Sequence, residues 1–395
     1  MNNLKALKKS IFYISFPFSL IGFLFPVYAH SIGVSVIELG IIYSVFSLFT
    51  ILIRPVVGLL IDKKGRKIGV VLGVVFYCLV NLLFLMGNSF KYLLIVRIFQ
   101  GIGGSFLWIS IDTIISDISN ESNRSENFGI INESLSKGGF LGAFIGFTII
   151  YNNFFNDSFR ILFFIYLITS LISLYYAVSK VEETISYKKS YEEDMIKNYK
   201  NFNLFLVLMG SLAFISSLTA HTYLIYVREN ITDQLYLINY LFIPSAILSM
   251  FLPNKFGKVS DRYDRRKILC SGILVLGILY LLIPAINNYY YFIVINTLIA
   301  ITSMFYGPAQ SALVVDIVGD NQRGKSYGKY KFALGIGGML GSMLGAFVYE
   351  QIGNAIVFYI KGIMLISLSM LVIKLIDVKI GFTKVENSRE SIDRI

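Results

Sequence analysis

Twelve long apolar stretches, nearly free of charge, dominate this chain of 395 residues. They constrain its fold more than any other feature. A run of about 18 or more apolar residues reads as a membrane-crossing helix, because only a helix or a closed barrel satisfies its own backbone inside lipid. The stretches lie near 10–30, 37–61, 68–87, 90–116, 128–150, 159–179, 202–228, 234–255, 268–286, 289–315, 327–350 and 355–376. Overall, 55% of residues are hydrophobic and 15% are charged, against about 25% charged in an average soluble domain. The expected fold is an all-α integral membrane protein.

The net charge of +11 follows from topology and does not call for a nucleic-acid partner. With the N-terminus inside, only Lys91, Arg160 and Arg228 fall on the outer side. Arg54, Arg97, Lys137 and Lys361 lie within spans, and the remaining 28 of the 35 basic residues sit in or beside inward loops and tails. That asymmetry is the positive-inside rule, and it puts both termini in the cytoplasm. Lys5, Lys8 and Lys9 precede the first apolar run, which is longer than a signal-peptide core and lacks a cleavage site. It reads as an uncleaved first helix. Cys78 and Cys270 both fall in spans, so neither a disulfide framework nor a metal-ligand set is expected.

An internal repeat organises the chain. Gly58, Asp62, Lys63, Gly65, Arg66 and Lys67 return as Gly257, Asp261, Arg262, Asp264, Arg265 and Arg266, each 199 positions further on. The same offset carries Asp117 to Asp316, Arg124 to Arg323 and Gly129 to Gly328. It also carries Gly138, Gly139, Gly142 and Gly146 to Gly337, Gly338, Gly341 and Gly345. A register held across several spans divides the chain into an N-terminal six-helix bundle (1–179), a polar linker (180–201), a C-terminal bundle (202–376) and a tail (377–395).

The chain resembles the major facilitator superfamily. The resemblance rests on twelve spans, a central cytoplasmic loop, and the loop motif G-x-x-x-D-(R/K)-x-G-R-(R/K) after the second span, repeated after the eighth with Asp264 in place of the glycine. It implies two bundles related by a pseudo-two-fold axis along the membrane normal, rocking about a solute site between them. It also implies a cytoplasmic gate, with Asp62 docking on the opposite bundle and Arg66 pairing with Asp117. Arg265 and Asp316 would be the second copy. Taken alone, a basic loop serves topology and nothing more; two copies favour the gate.

The fourth span carries Arg97, Gln100, Gly101 and Gly104, similar to the family's R-x-x-Q-G motif. Arg97, Gly101, Gly104 and Trp108 share one helix face, with Asp112 toward its cytoplasmic end. An intramembrane arginine faces an aqueous cavity or a partner. The tenth span offers Asn296, Ala300, Ser303 and Gly307, with Gln310 nearby. The seventh offers Gly210, Phe214, Ser217 and His221, and the first Ser15, Phe18 and Gly22. In the family these four helices line the cavity, although glycines there serve packing equally well. Asp112, Glu133 and His221 are the groups able to carry a proton, whereas Glu133 and Lys137 at i, i+4 read as a self-neutralising pair. The string Gly319 to Ser326 matches G-x-x-x-x-G-K-[ST], but it joins two spans and has no strand before it.

A secondary transporter for a small solute follows, located in the cell membrane as a monomer, with protons a candidate partner and the bilayer its surroundings. No cofactor or metal is expected, and no catalytic set is evident, so the chain does not read as an enzyme. The competing readings are a transporter-like sensor, which the short tails disfavour, and a multidrug efflux antiporter. The absence of proline between Pro55 and Pro244 departs from the family's antiporter pattern in the fifth span. Cysteines introduced at Lys63, Ser190 and Arg262 should react with a membrane-impermeant thiol reagent only from the cytoplasmic side. Labelling from outside would overturn the orientation and the repeat alignment with it.

Overall fold

A computed structural model describes residues 2–18, 25–87, 89–151, 157–185, 199–318 and 322–375. Gly22, most of the central linker (186–198) and the tail from 376 onward lie outside the described residues. The described residues form helices and no strand. Eight helices are long and apolar enough to cross a bilayer: Glu38–Lys64, Arg66–Met86, Phe90–Ile118, Ser158–Ser179, Arg265–Ala285, Tyr289–Val318, Arg323–Gln351 and Ile356–Lys374. They correspond to spans two, three, four, six, nine, ten, eleven and twelve. The fifth span is one continuous helix, Arg124–Tyr151, whose glycines, serines, Glu133 and Lys137 lower its hydropathy.

Of the other three expected spans, the seventh and the eighth are divided. For the first, the described residues include the helices Asn2–Ile14 and Phe25–Ser31. The seventh runs Tyr199–Ser217, turns at 218–222, and resumes as Tyr223–Asn230. Its turn is held by Lys361, whose Nζ donates to Ser216 O and Thr219 Oγ1 at 2.7 Å each. The eighth is three pieces, Leu235–Tyr240, Ile243–Ser249 and Leu252–Arg262. Pro244 and Pro253 stand in the first turn of the second and third pieces. Proline is tolerated there because the missing N–H would have had no intrahelical partner.

The two copies of the loop motif close differently. Lys64 ends one helix and Arg66 begins the next, with Gly65 alone between them at φ +111°. A side chain is strained at that dihedral. In the second copy two residues make the turn, Asp264 has φ −62°, and its carboxylate accepts the N–H of Arg266 at 2.9 Å. Aspartate therefore replaces glycine because this turn needs a helix N-cap and no left-handed residue.

Glycines set how closely the helices approach. Within the halves, a Cβ at Gly142 would stand 2.1 Å from Phe16 O, and one at Gly341 2.0 Å from Phe214 O. Each brings span five or eleven against span one or seven. Between the halves, a Cβ at Gly58 would meet Gly324 O at 2.5 Å, at Gly129 Pro253 O at 2.3 Å, and at Gly257 Ser125 O at 2.4 Å. Spans two and eleven, and spans five and eight, therefore cross at backbone contact along a seam near the loop-motif end. Overpacking costs about 1–3 kcal/mol wherever it occurs, but its effect should differ by place. Gly129→Val and Gly257→Val are expected to raise the reactivity of a cysteine at the buried Ser116 several-fold, by separating the halves at this end. Gly142→Val should lower thermal stability without that rise. Unchanged Ser116→Cys reactivity in both seam variants would show that the contact does not hold the halves together.

Candidate functional site at the seam and in the fourth span

Four charged residues meet on one side of the seam. Asp62, at the end of the second span, accepts the N–H groups of Gly324 and Lys325 at 3.0 and 2.7 Å. These are first-turn donors of the eleventh helix, without intrahelical partners and at the positive end of its dipole. Arg66 pairs with Asp62 at 3.2 Å and with Asp117 at 3.1 Å. Arg323, from the opposite half, pairs with Asp117 at 2.9 Å and donates to Ser116 O at 2.7 Å.

The second cluster repeats the first with the halves exchanged. Asp261 accepts the N–H groups of Ser125 and Glu126 at 2.9 and 2.8 Å. Arg265 pairs with Asp261 at 2.6 Å and with Asp316 at 2.7 Å. Arg124 completes the set through Asp316. The seam's two clusters thus gather Gly58, Asp62, Arg66, Asp117, Gly257, Asp261, Arg265 and Asp316. Lys63 is exposed beside them, and Gly65 shapes the turn.

Sequence reasoning recorded Arg124 and Arg323 as a repeat pair but gave them no role. The signal was the offset itself: each follows its own half's aspartate by seven residues yet pairs with the other half's. The start of the linker also belongs to this network. Glu183 accepts the N–H groups of Arg66 and Lys67 at 2.9 and 3.1 Å, capping the third span, and Thr184 donates to Asp117 at 2.8 Å. Burial opposes the Glu183 charge, but these N–H groups outweigh it and hold its pKa below the usual glutamate value. The phosphate-loop look-alike is explained too: the N–H groups of Gly324 and Lys325 already hold a carboxylate.

Further along the seam, Asp112 pairs across the halves with Lys331 at 2.8 Å. Arg54 donates to the Lys331 carbonyl oxygen. Lys331, which the charge count groups with the basic loops, is inside the eleventh helix. Where spans five and eight cross, Glu133 is not only the partner of Lys137 at 3.5 Å; it also accepts the N–H of Asn254 at 3.1 Å.

The fourth-span candidates separate into distinct environments. Arg97 is 3% exposed, and its Nη1 donates to Gln100 Oε1 at 2.7 Å. Its guanidinium carbon lies 3.8 Å from the Phe25 ring centroid, 5.0 Å from that of Tyr43 and 5.6 Å from that of Phe46. Tyr43 is a hydrogen-bond partner of the guanidinium as well as a ring beside it, while Nε and Nη2 make no well-formed bond among the described residues. Gly101 packs on the second span, where a Cβ would meet Phe46 O at 2.9 Å, and Gly104 faces the Tyr77 hydroxyl at 3.2 Å. Trp108 stands against Phe18, ring centroids 6.1 Å apart. Asp112 is fifteen residues from Arg97, about 22 Å along the helix, so the two do not form one site.

In the tenth span, Asn296 accepts from the Tyr223 hydroxyl at 2.8 Å and donates to Leu241 O at 3.1 Å. It ties spans seven, eight and ten together. Ser303 bonds its own helix at Ile299 O, 2.9 Å. Gln310 is hydrogen-bonded to Tyr330 of the eleventh span. His221 is exposed in the turn of the seventh span. No group of His, Cys, Asp and Glu able to hold a metal occurs among the described residues.

Comparison with known proteins agrees with this architecture. An uncharacterised MFS-type transporter of Methanocaldococcus jannaschii is 24% identical over 345 residues, 85% of this chain and 89% of that protein. The quinolone resistance protein NorA of Staphylococcus aureus is 28% identical over 133 residues, 34% of either chain. Among solved structures, the human organic anion transporter MFSD10 superposes with a TM-score of 0.77 at 17% identity, covering 94% of this chain and 99% of that one. The fucose:proton symporter FucP of E. coli, in its outward conformation, also gives 0.77 at 14% identity, over 94% of this chain and 98% of that one. At such identities the likeness concerns the fold. The family model for the Major Facilitator Superfamily matches residues 10–259 and 255–393, and the chain belongs to that superfamily of multi-pass membrane transporters.

Proposed function

We propose that the chain is a secondary transporter that carries a small solute by alternating access, with its loop-motif end in the cytoplasm and closed in this conformation. The observation that carries this reading is the pair of exchanged charge clusters on the seam. Most of the interactions in them that join the halves are charge-assisted hydrogen bonds or ion pairs, with the neutral hydroxyl bonds Ser260–Ser125 and Ser116–Tyr327 beside them. Such contacts are strong when desolvated and cheap to lose once water enters. Apolar side chains pack beside them, Phe128 against Tyr327 with ring centroids 6.4 Å apart, but a gate also needs bonds that water can replace, and the clusters supply them.

Arg97 is the residue assigned to the solute or its coupling ion. Burying a guanidinium in the membrane without a carboxylate costs several kcal/mol, so a structural role alone predicts that the charge is dispensable. An anionic or polar solute group, or a carboxylate that comes and goes with protonation, would meet the guanidinium nitrogens that have no well-formed partner among the described residues. Efflux of organic compounds by proton antiport is a second reading. The NorA match and the aromatic rings around Arg97 favour it, and the absent fifth-span proline counts against it.

Solute accumulation in proteoliposomes separates a transporter from a sensor. Arg97→Gln should give a folded, monodisperse protein without transport, and Arg97→Lys should also be impaired, because an ammonium lacks the planar fork of donors. Normal transport by Arg97→Gln at every external pH tried would make the residue scaffolding. Asp62→Asn should slow transport while leaving membrane insertion intact, by weakening a bond that must form and break in each cycle. Full activity of the Asp62→Asn/Asp261→Asn double variant would leave the motif loops a topological role only.

A further inference from the structure

A second basic feature lies away from the seam clusters. Where spans one, five and six meet, a groove of about 980 Å³ is lined by Lys5, Lys8, Lys9, Lys137 and Lys180, with Glu182 the one acid among the described residues that line it. Its walls are Phe12, Tyr13 and Tyr176. The Tyr13 and Tyr176 rings are nearly parallel, 6.0 Å apart, and Lys9 Nζ stands 5.2 Å over Tyr176.

The groove is built on a fixed floor. Ser10 and Ser173 hydroxyls bond at 2.8 Å, Ser134 donates to Lys8 O at 2.7 Å, and the Asn3 side chain bonds the Glu182 backbone at both its N–H and its carbonyl oxygen. Lys5, Lys8, Lys9 and Lys180 are exposed above it. The seam contacts do not involve these four.

We propose that this groove binds the headgroup of an anionic phospholipid. Orientation alone asks for lysines near the inner surface; it does not ask for five of them around one cavity with aromatic walls. A phosphate ester anion fits the ammonium groups. The tyrosines stand beside the lysines at one end of spans one and six, and amphipathic rings at a span end favour the level of headgroups and upper acyl chain, which argues for a lipid over a soluble phosphate. Basic pockets between transmembrane helices take such headgroups. Lys137 adds a consequence for the halves. Its Nζ pairs with Glu133 and lies 5.3 Å from the Phe251 ring of the opposite half, and Glu133 accepts the Asn254 N–H there. A headgroup in the groove competes with Glu133 for Lys137 and so reaches the seam.

The test uses the purified full-length protein, delipidated in detergent. Phosphatidylglycerol, phosphatidylcholine, glycerol 3-phosphate and inorganic phosphate are added separately, with binding followed by native mass spectrometry and thermal shift. Phosphatidylglycerol alone should give a retained adduct and a rise in melting temperature. Lys8→Gln and Lys9→Gln should each weaken it about fivefold, the weight of one lysine at a charged headgroup. The exposed pair Lys255→Gln/Lys267→Gln at the same end should leave it unchanged. Tyr176→Leu, which keeps the charge, should also weaken it. Equal binding of phosphatidylcholine, or equal loss in the Lys255→Gln/Lys267→Gln control, would overturn the proposal in favour of unspecific association. Stabilisation by glycerol 3-phosphate equal to that by phosphatidylglycerol would overturn the lipid assignment.

Discussion

Two carboxylates seated on helix N-termini hold this molecule in the conformation described. Asp62 takes two backbone N–H groups from the eleventh helix and Asp261 takes two from the fifth, each reaching into the other half. A helix N-terminus in a poorly hydrated setting needs acceptors for its free N–H groups, and a carboxylate there needs donors. Each satisfies the other. The arginines of spans three and nine then neutralise the aspartates, and the glycines at 58, 129 and 257 bring the backbones close enough for bonds under about 3 Å.

Most of this frame is legible in the sequence alone. Apolar run length gives the spans because lipid leaves few alternatives, and the 199-residue offset gives the two halves and the members of both clusters. Run length cannot reveal where an apolar segment bends. The turn in the seventh span depends on Lys361 from the twelfth, and the divisions of the eighth put Pro244 and Pro253 in the first turns of its second and third pieces. Partners across the seam were also hidden. Lys331 sits five residues into an expected span and counts as a loop charge until Asp112 is seen opposite it.

The polar stripes were a partial guide. Arg97 and Gln100 touch, and the rings packed on the guanidinium come from helices that no stripe of the fourth span could nominate. Gly101, Asn296 and Ser303 share the expected faces, but contacts within their own halves account for them: close packing for Gly101, bonds to neighbouring helices for Asn296, a bond to its own helix for Ser303. Helical spacing shows which residues look the same way. It does not distinguish a wall from a joint, because both use small and polar residues in lipid. Two buried cations without a carboxylate partner among the described residues, Lys361 and Arg97, solve the same problem unequally. Lys361 spends its protons on Ser216 O and Thr219 and stacks on Tyr280, its Nζ 3.8 Å from the ring centroid. Arg97 has Gln100 and Tyr43 as partners, and two of its nitrogens make no well-formed bond among the described residues.

The exchanged arginines have a consequence for how such a molecule can arise. Arg124 belongs to the first half and completes the second half's cluster, while Arg323 does the reverse. Each half therefore carries both the key and the lock, as a subunit does in an isologous two-fold interface. Two copies of a single six-helix ancestor would already complete both clusters upon pairing. Fusion into one chain then needed no new contact, and it freed one side to change alone. The Asp112–Lys331 pair has used that freedom: its counterparts in the repeat are Ser311 and Asn132, and neither carries a charge.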